Sequence, residues 1–213
     1  MISNEGSNMS RVNRLMFILT IGIFAVSAQA QRPGYPPEMP GARAEVYRSA
    51  EAVDLKLWIF EPAGHSADDA RPAIVFFFGG GWNGGSPAQF RPQSEYLAGR
   101  GMVAIAADYR VKSRNGTLAN IAVSDAKAAV RWVRTHADRL GIDPDRIAAG
   151  GGSAGGHLAA GTAMLPGHDD TTTAAGVSSA PNALVLFNPA LITAPYPGQS
   201  DPEASKFNNL SLS

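Results

Sequence analysis

The sequence predicts an α/β domain with a mainly parallel sheet and helices on both faces. Three observations predict it. Continuous apolar runs at 73–78 and 102–107 read as strands covered on both faces, the habit of parallel sheets, and 183–187 reads as a last strand. Segments with apolar residues at helical spacing separate them. Finally, Gly151-Gly152-Ser153-Ala154-Gly155 lies between a short apolar segment, 146–149, and the helix-compatible run His157-Leu158-Ala159-Ala160. A strand, a sharp turn and a helix therefore follow one another at that point.

The elements follow in chain order. Residues 1–30 read as a secretory signal peptide: Arg11 and Arg14 precede an apolar run at 15–26, and Ala28-Gln29-Ala30 supplies small residues at a cleavage site. The run is shorter than the ~20 residues a membrane-spanning helix needs, so an exported protein is expected, periplasmic or secreted, with no span after cleavage. Residues 31–43, rich in Pro and Gly, read as a linker, and 44–213 as the domain. Residues 44–48 and 53–60 largely alternate polar with apolar side chains, which suits strands near a sheet edge. A helix is expected over 87–100 between the first two buried strands. A longer one is expected over 121–140, where Ala126, Ala129, Val130, Val133, Ala137 and Leu140 recur at spacings of three and four. Gly141 is its expected stop. Asp125 is expected to stabilise the N-terminal end of that helix. A helix over 154–164, a polar Thr-rich loop over 167–181 and a strand at 183–187 complete the pattern.

Composition narrows the function classes. The 213 residues carry 18 basic and 18 acidic side chains, so no charge excess points to a nucleic-acid partner. With no Cys, stability rests on a packed core, and neither a thiolate nucleophile nor a Cys-based metal site is possible. The four histidines, His65, His136, His157 and His168, show no metal-ligand spacing, and no metal or other cofactor is expected.

Two glycine-rich turns carry the chemistry. In a G-x-S-x-G turn the serine sits on a tight strand-to-helix corner, and a side chain two residues either side would clash with neighbouring backbone. Phe78-Gly79-Gly80-Gly81-Trp82 follows the first buried strand. A glycine run there lets backbone N–H groups face a substrate carbonyl, whose oxygen becomes negative during acyl transfer. Either motif alone is weak; both, each closing a buried strand, point to acyl transfer through Ser153. His157, about one helical turn past Ser153, is expected to be packed or surface-facing rather than the base. His168, Asp169 and Asp170 are expected to be solvated, and His65 and His136 have no catalytic context.

With Phe77-Phe78-Gly79-Gly80-Gly81-Trp82, Asp108-Tyr109-Arg110, Asp125-Ala126, Arg131-Trp132-Val133-Arg134, Gly141-Ile142-Asp143-Pro144 and Gly152-Ser153-Ala154-Gly155-Gly156-His157-Leu158-Ala159, the chain resembles the α/β-hydrolase esterases of the hormone-sensitive-lipase and acetyl-esterase type, close to the feruloyl-esterase-like group. The resemblance implies Ser153 as nucleophile and the N–H groups of Gly80, Gly81 and Ala154 as the oxyanion hole. It also implies an ester substrate, small or carbohydrate-linked, and a loop-organising role for Asp108, Tyr109 and Arg110. Many relatives have His where this chain has Phe78; the donors are backbone groups, so the change touches only how the loop is held.

In that fold an Asp or Glu and then a His follow the serine on later strands. No strand–Asp or strand–Gly-His pattern follows residue 187, so the chain is expected to be the front part of a longer hydrolase, incomplete at the C-terminus and inactive or nearly so by itself. A non-catalytic remnant or binding protein is one alternative. A peptidase of the prolyl-oligopeptidase type is the other, and the Gly79-Gly80-Gly81-Trp82 run favours the esterase over it.

Overall fold

A computed structural model describes residues 34–50, 53–169, 174 and 176–191. The segment 1–30 read as a signal peptide, the first three residues of the expected linker, Asp170 and everything from residue 192 lie outside the described residues. In chain order the elements are β1 (Arg43–Ala50), β2 (Val53–Phe60), β3 (Arg71–Phe77), α1 (Arg91–Ala98), β4 (Val103–Ala107), α2 (Lys112–Asn115), α3 (Ala119–Thr135), β5 (Ile142–Gly152), α4 (Ala154–Met164) and β6 (Ala183–Phe187). They build a six-stranded sheet in the order β1-β2-β4-β3-β5-β6. β1 and β2 form an antiparallel hairpin at one edge, as their alternating sequence suggests, and β2 runs antiparallel to β4. From β4 through β3 and β5 to β6 every pairing is parallel.

Strand order positions the site. The chain leaves β3 through α1 to reach β4 on one side, then leaves β4 through α3 to reach β5 on the other. Parallel crossovers are right-handed, so two crossovers in opposite directions place their helices on opposite faces. Accordingly α1 packs on β4 and β2, while α3 and α4 pack together and against β3 and β5. A reversal of this kind opens a crevice beyond the carboxyl ends of the strands where it occurs, here β3 and β5.

Packing explains the buried runs. Ala73 to Phe78 are all at most 2 % exposed, as a strand with both faces covered requires. β4 alternates Val103 and Ile105 with Ala104 and Ala106, all fully buried. Phe76 stacks on Phe90 with ring centroids 4.8 Å apart, which ties β3 to the segment before α1.

Three expectations need correction. The helix expected over 87–100 is a 3-10 turn, Pro87–Phe90, followed by the shorter α1; Ser86 caps the turn and Pro87 and Pro92 both lie near starts, where a missing N–H is harmless. The helix expected to reach residue 140 ends at Thr135. There the Trp132 carbonyl accepts both from the His136 N–H at 3.0 Å and from its ring Nδ1 at 2.7 Å, and turns carry the chain to Gly141 at φ +59°. Asp125 is not at the helix N-terminus. It is fully buried inside α3 and joined to Arg110 at 2.8 and 2.9 Å and to Arg48 at 2.8 Å, binding β1, the segment after β4 and α3 together. Deleting one partner of such a buried pair costs about 3–5 kcal/mol.

Candidate active site

Ser153 stands at the carboxyl end of β5 and opens α4 with φ +52° and ψ −120°. A non-glycine residue there carries backbone strain of order 1–3 kcal/mol, which persists only where surrounding contacts fix it. They do. Ser153 N–H donates to the Phe187 carbonyl at 3.0 Å, and Ser153 C=O accepts from the N–H groups of His157 and Ala190, each at 3.1 Å. Its neighbour Ala154 is buried while Ser153 itself is exposed.

The flanking glycines are needed for space. A Cβ on Gly155 would run into the Phe77 and Phe78 carbonyl oxygens, and one on Gly151 would lie 2.6 Å from the Phe77 oxygen. One on Gly156 would lie 2.9 Å from the Pro189 Cβ. The corner therefore presses against the end of β3, where the second glycine turn starts.

That turn is positioned by hydrogen bonds at successive peptides. The Phe78 carbonyl accepts from the Tyr109 hydroxyl at 2.6 Å, and the Gly79 N–H donates to the Gln89 side-chain oxygen at 2.6 Å. The Gly80 carbonyl accepts from Asn83 N–H at 3.1 Å and Gly84 N–H at 3.2 Å. Gly80 and Gly81 take φ values of +136° and +61°, conformations that glycine adopts freely. Among the described residues, the N–H groups of Gly80, Gly81 and Ala154 meet no protein acceptor. Donors left unpaired beside an exposed hydroxyl are what a developing oxyanion requires.

Phe78 holds the loop in place of the histidine common in the resembled family. Its ring is fully buried and stacks on Tyr109 at 4.0 Å. Asp108 accepts from the Tyr109 N–H at 2.8 Å and from the Tyr35 hydroxyl, and its own carbonyl accepts from the Tyr47 hydroxyl at 2.7 Å. Arg114 lies 3.9 Å over the Tyr35 ring, 3.6 Å from the Asp108 carboxylate, and donates to the Gly85 carbonyl at 2.6 Å. Burial pushes the Asp108 carboxyl up to about 6, against the pull of the Tyr35 hydroxyl and the Arg114 charge. Burial likewise raises the Tyr109 hydroxyl, which stays a donor. Asp108 and Tyr109 thus organise the loop. Tyr35, Gln89 and Arg114 belong to the same support, and no motif in the sequence marks them.

A cavity of about 800 Å³ opens over Ser153, lined on one side by Phe90, Leu186 and Phe187 and on another by Gly80, Gln89 and Asn188. None of the four histidines lines it. His157 is fully buried, its ring edge-on to Trp82 at 5.2 Å, as a packed residue. His65 bonds Asp69 at 3.2 Å and the Leu140 carbonyl at 2.8 Å; His136 stacks on Trp132 at 4.2 Å. Asp169 is not simply solvated: it pairs with Arg131 and with Lys127 at 3.3 Å, anchoring the loop after α4 to α3. Among the described residues no group of three His, Asp or Glu side chains is placed to hold a metal ion, and no helix is long and apolar enough to cross a membrane.

The BD-FAE family model matches residues 57–184, which include both glycine turns and every strand from β3 to β5. The chain belongs to the BD-FAE family. Its fold is that of the α/β hydrolases: esterase 2 of Thermogutta terrifontis, in its propionate-bound form, superposes with a TM-score of 0.79 at 53 % identity, over 84 % of this chain and 68 % of that one. The same esterase phosphorylated by paraoxon superposes at 0.76 with 55 % identity, over 85 % of this chain and 68 % of that one. Among curated proteins, the carboxylesterase NlhH of Mycobacterium tuberculosis is 31 % identical over 70 % of this chain. The BD-FAE chain spans only about half of that relative's length, 47 %.

Proposed function

We propose that this chain carries the nucleophile and oxyanion cradle of a serine carboxylic-ester hydrolase acting on short-chain or carbohydrate-linked acyl esters. The observation that carries the reading is the exposed Ser153 in a cavity it shares with Gly80, with the N–H groups of Gly80, Gly81 and Ala154 meeting no protein acceptor among the described residues. Ser153 Oγ attacks the ester carbonyl, forming the Oγ–C bond as the carbonyl electron pair moves onto oxygen. The three N–H groups meet that charge; each such donor contributes about 3–4 kcal/mol to the transition state. Collapse then breaks the bond to the alcohol oxygen, which leaves with the proton lost by the serine, and water releases the acid. Phe90, Leu186 and Phe187 suit a short acyl chain, while Gln93 and Asn188 offer hydrogen bonds to the polar part of an ester. The propionate- and butyrate-bound forms of the Thermogutta esterase support a short acyl group.

Proton transfer needs a base, and no histidine of this sequence lines the cavity. The reading therefore leaves the base to a group other than His65, His136, His157 and His168. Ester turnover by the chain alone is expected far below the ~10 s⁻¹ typical of enzymes. The test is prolonged paraoxon labelling in imidazole buffer, which supplies the base, followed by intact mass and peptide mapping. A single diethylphosphoryl group on Ser153, absent from Ser153→Ala, is expected. Labelling elsewhere, or none, would sink the assignment. On protein recovered from an exporting host, the same mass measures the N-terminus, expected at Gln31 if the segment 1–30 is a cleaved export signal.

A further inference from the structure

We propose that Gln89 is a positioning residue of the oxyanion loop, acting through the Gly79 N–H; the inference rests on the esterase reading above. A trans peptide points its C=O and its N–H in opposite directions. The peptide joining Phe78 to Gly79 is held at both poles: its C=O by the Tyr109 hydroxyl at 2.6 Å and its N–H by Gln89 Oε1 at 2.6 Å. With that plane fixed, the next peptide presents the Gly80 N–H to the space above Ser153. Gly79 is buried, so without Gln89 its N–H would have no acceptor, and rotation of the peptide would be the way to regain one.

Gln89 is itself placed firmly. It belongs to the 3-10 turn Pro87–Phe90, whose start is capped by Ser86. The next residue, Phe90, is 5 % exposed and stacked on Phe76. Only the oxygen of the amide can accept from Gly79, which fixes its orientation. The amide nitrogen then has no partner among the described residues, and the side chain lines the Ser153 cavity while remaining largely exposed. Gln89 thus joins the oxyanion loop to the cavity wall without sitting in the core. Altering it changes the aim of a donor rather than the packing of the fold.

Gln89→Met keeps the length of the side chain and removes the acceptor. In the same imidazole buffer, paraoxon phosphorylation of Ser153 is measured over a range of paraoxon concentrations, separating binding from the maximal rate constant, together with melting temperature and Gly79 amide exchange. In Gln89→Met the maximal rate constant is expected to fall at least tenfold, with binding within threefold, melting within a few degrees and Gly79 exchange at least tenfold faster. Gln89→Glu, which retains an acceptor, is expected to keep Gly79 protected and to melt with the parent, so it reports on the contact even if the Met variant is poorly folded. A rate constant equal to wild type in Gln89→Met overturns the inference and leaves the esterase reading intact. So does unchanged Gly79 exchange. A wild-type chain that paraoxon does not label at Ser153 overturns the reading, and the inference with it.

Discussion

The two glycine-rich turns that meet at the site look alike in sequence and are built on different physical grounds. In the loop after β3 the glycines supply conformation, and at Gly80 and Gly85 space as well. Gly80, Gly81 and Gly85 all have positive φ, a Cβ on Gly80 would run into the Gly84 carbonyl oxygen and one on Gly85 into that of Gly79. Hydrogen bonds with Tyr109, Gln89, Asn83 and Gly84 hold the loop. In the corner after β5 the glycines supply space, and the unusual φ falls on Ser153. One turn is held by hydrogen bonds from side chains and backbone, and carries its own unusual φ at Trp82, +56°. The other is strained and wedged by backbone against backbone. A glycine in a motif therefore carries two separate meanings, and substitution tells them apart.

The largest effect is expected from Gly155→Ala set beside Gly81→Ala. At Gly155 the new Cβ meets two backbone carbonyls of β3's end, which have no rotamer to change, so about 3 kcal/mol or more is lost. At Gly81 nothing lies within 4 Å and only φ is strained, for about 1–2 kcal/mol. Calorimetry of the two variants should show the first melting some 5 °C or more below the second. Equal melting temperatures would erase the distinction.

Acidity should act on one turn only. Asp108, which supports the oxyanion loop, is pushed up to about 6 in the folded chain against an ordinary value of 3.8, whereas among the described residues no carboxylate is among the atoms nearest the glycines of the corner at Ser153. The folded state then keeps a proton that the unfolded chain releases. Stability from this group is full below pH ~4 and is lost as pH rises to ~6, at up to about 1.4 kcal/mol per pH unit. The stability difference between wild type and Asp108→Asn is accordingly expected to shift across that window in favour of the variant. Urea titrations at pH 4, 5, 6 and 7 check it; a constant difference counts against a raised carboxyl.

The smallest effect has an unusual sign. Ser153→Gly removes strain of order 1–3 kcal/mol and returns roughly 0.5–1 kcal/mol through greater freedom of the unfolded chain. A net gain near 1 kcal/mol is expected, with melting raised by about 3 °C and paraoxon labelling lost. A lower melting temperature would mean that the corner is not strained at all.

How far the sequence spoke follows from the same division. The buried strands were legible because Ala73 to Phe78 and Val103 to Ala107 are apolar without interruption, and the corner because its clashes leave glycine no substitute. The alternation at 44–48 and 53–60 correctly placed the hairpin at an edge. Helix ends were not legible. Ala137 and Leu140 keep the apolar spacing past Thr135 although turns carry them, since burial constrains a side chain's direction and not its backbone path. Asp125 read as a helix-end charge because nothing local reveals that Arg48 and Arg110 close on it from other elements. Gln89, ten positions beyond Gly79, and Arg114, resting on Tyr35, escaped for the same reason: their contacts are tertiary.

β6 has a consequence for anyone who handles the chain. Among the described residues it ends the sheet, with Leu184, Val185 and Phe187 between 38 and 48 % exposed. An outermost strand of that character templates pairing with another molecule. Association through that edge is bimolecular, so it is expected to grow as the stock is concentrated. Dilution, or Val185→Lys on the exposed edge, is expected to reduce it.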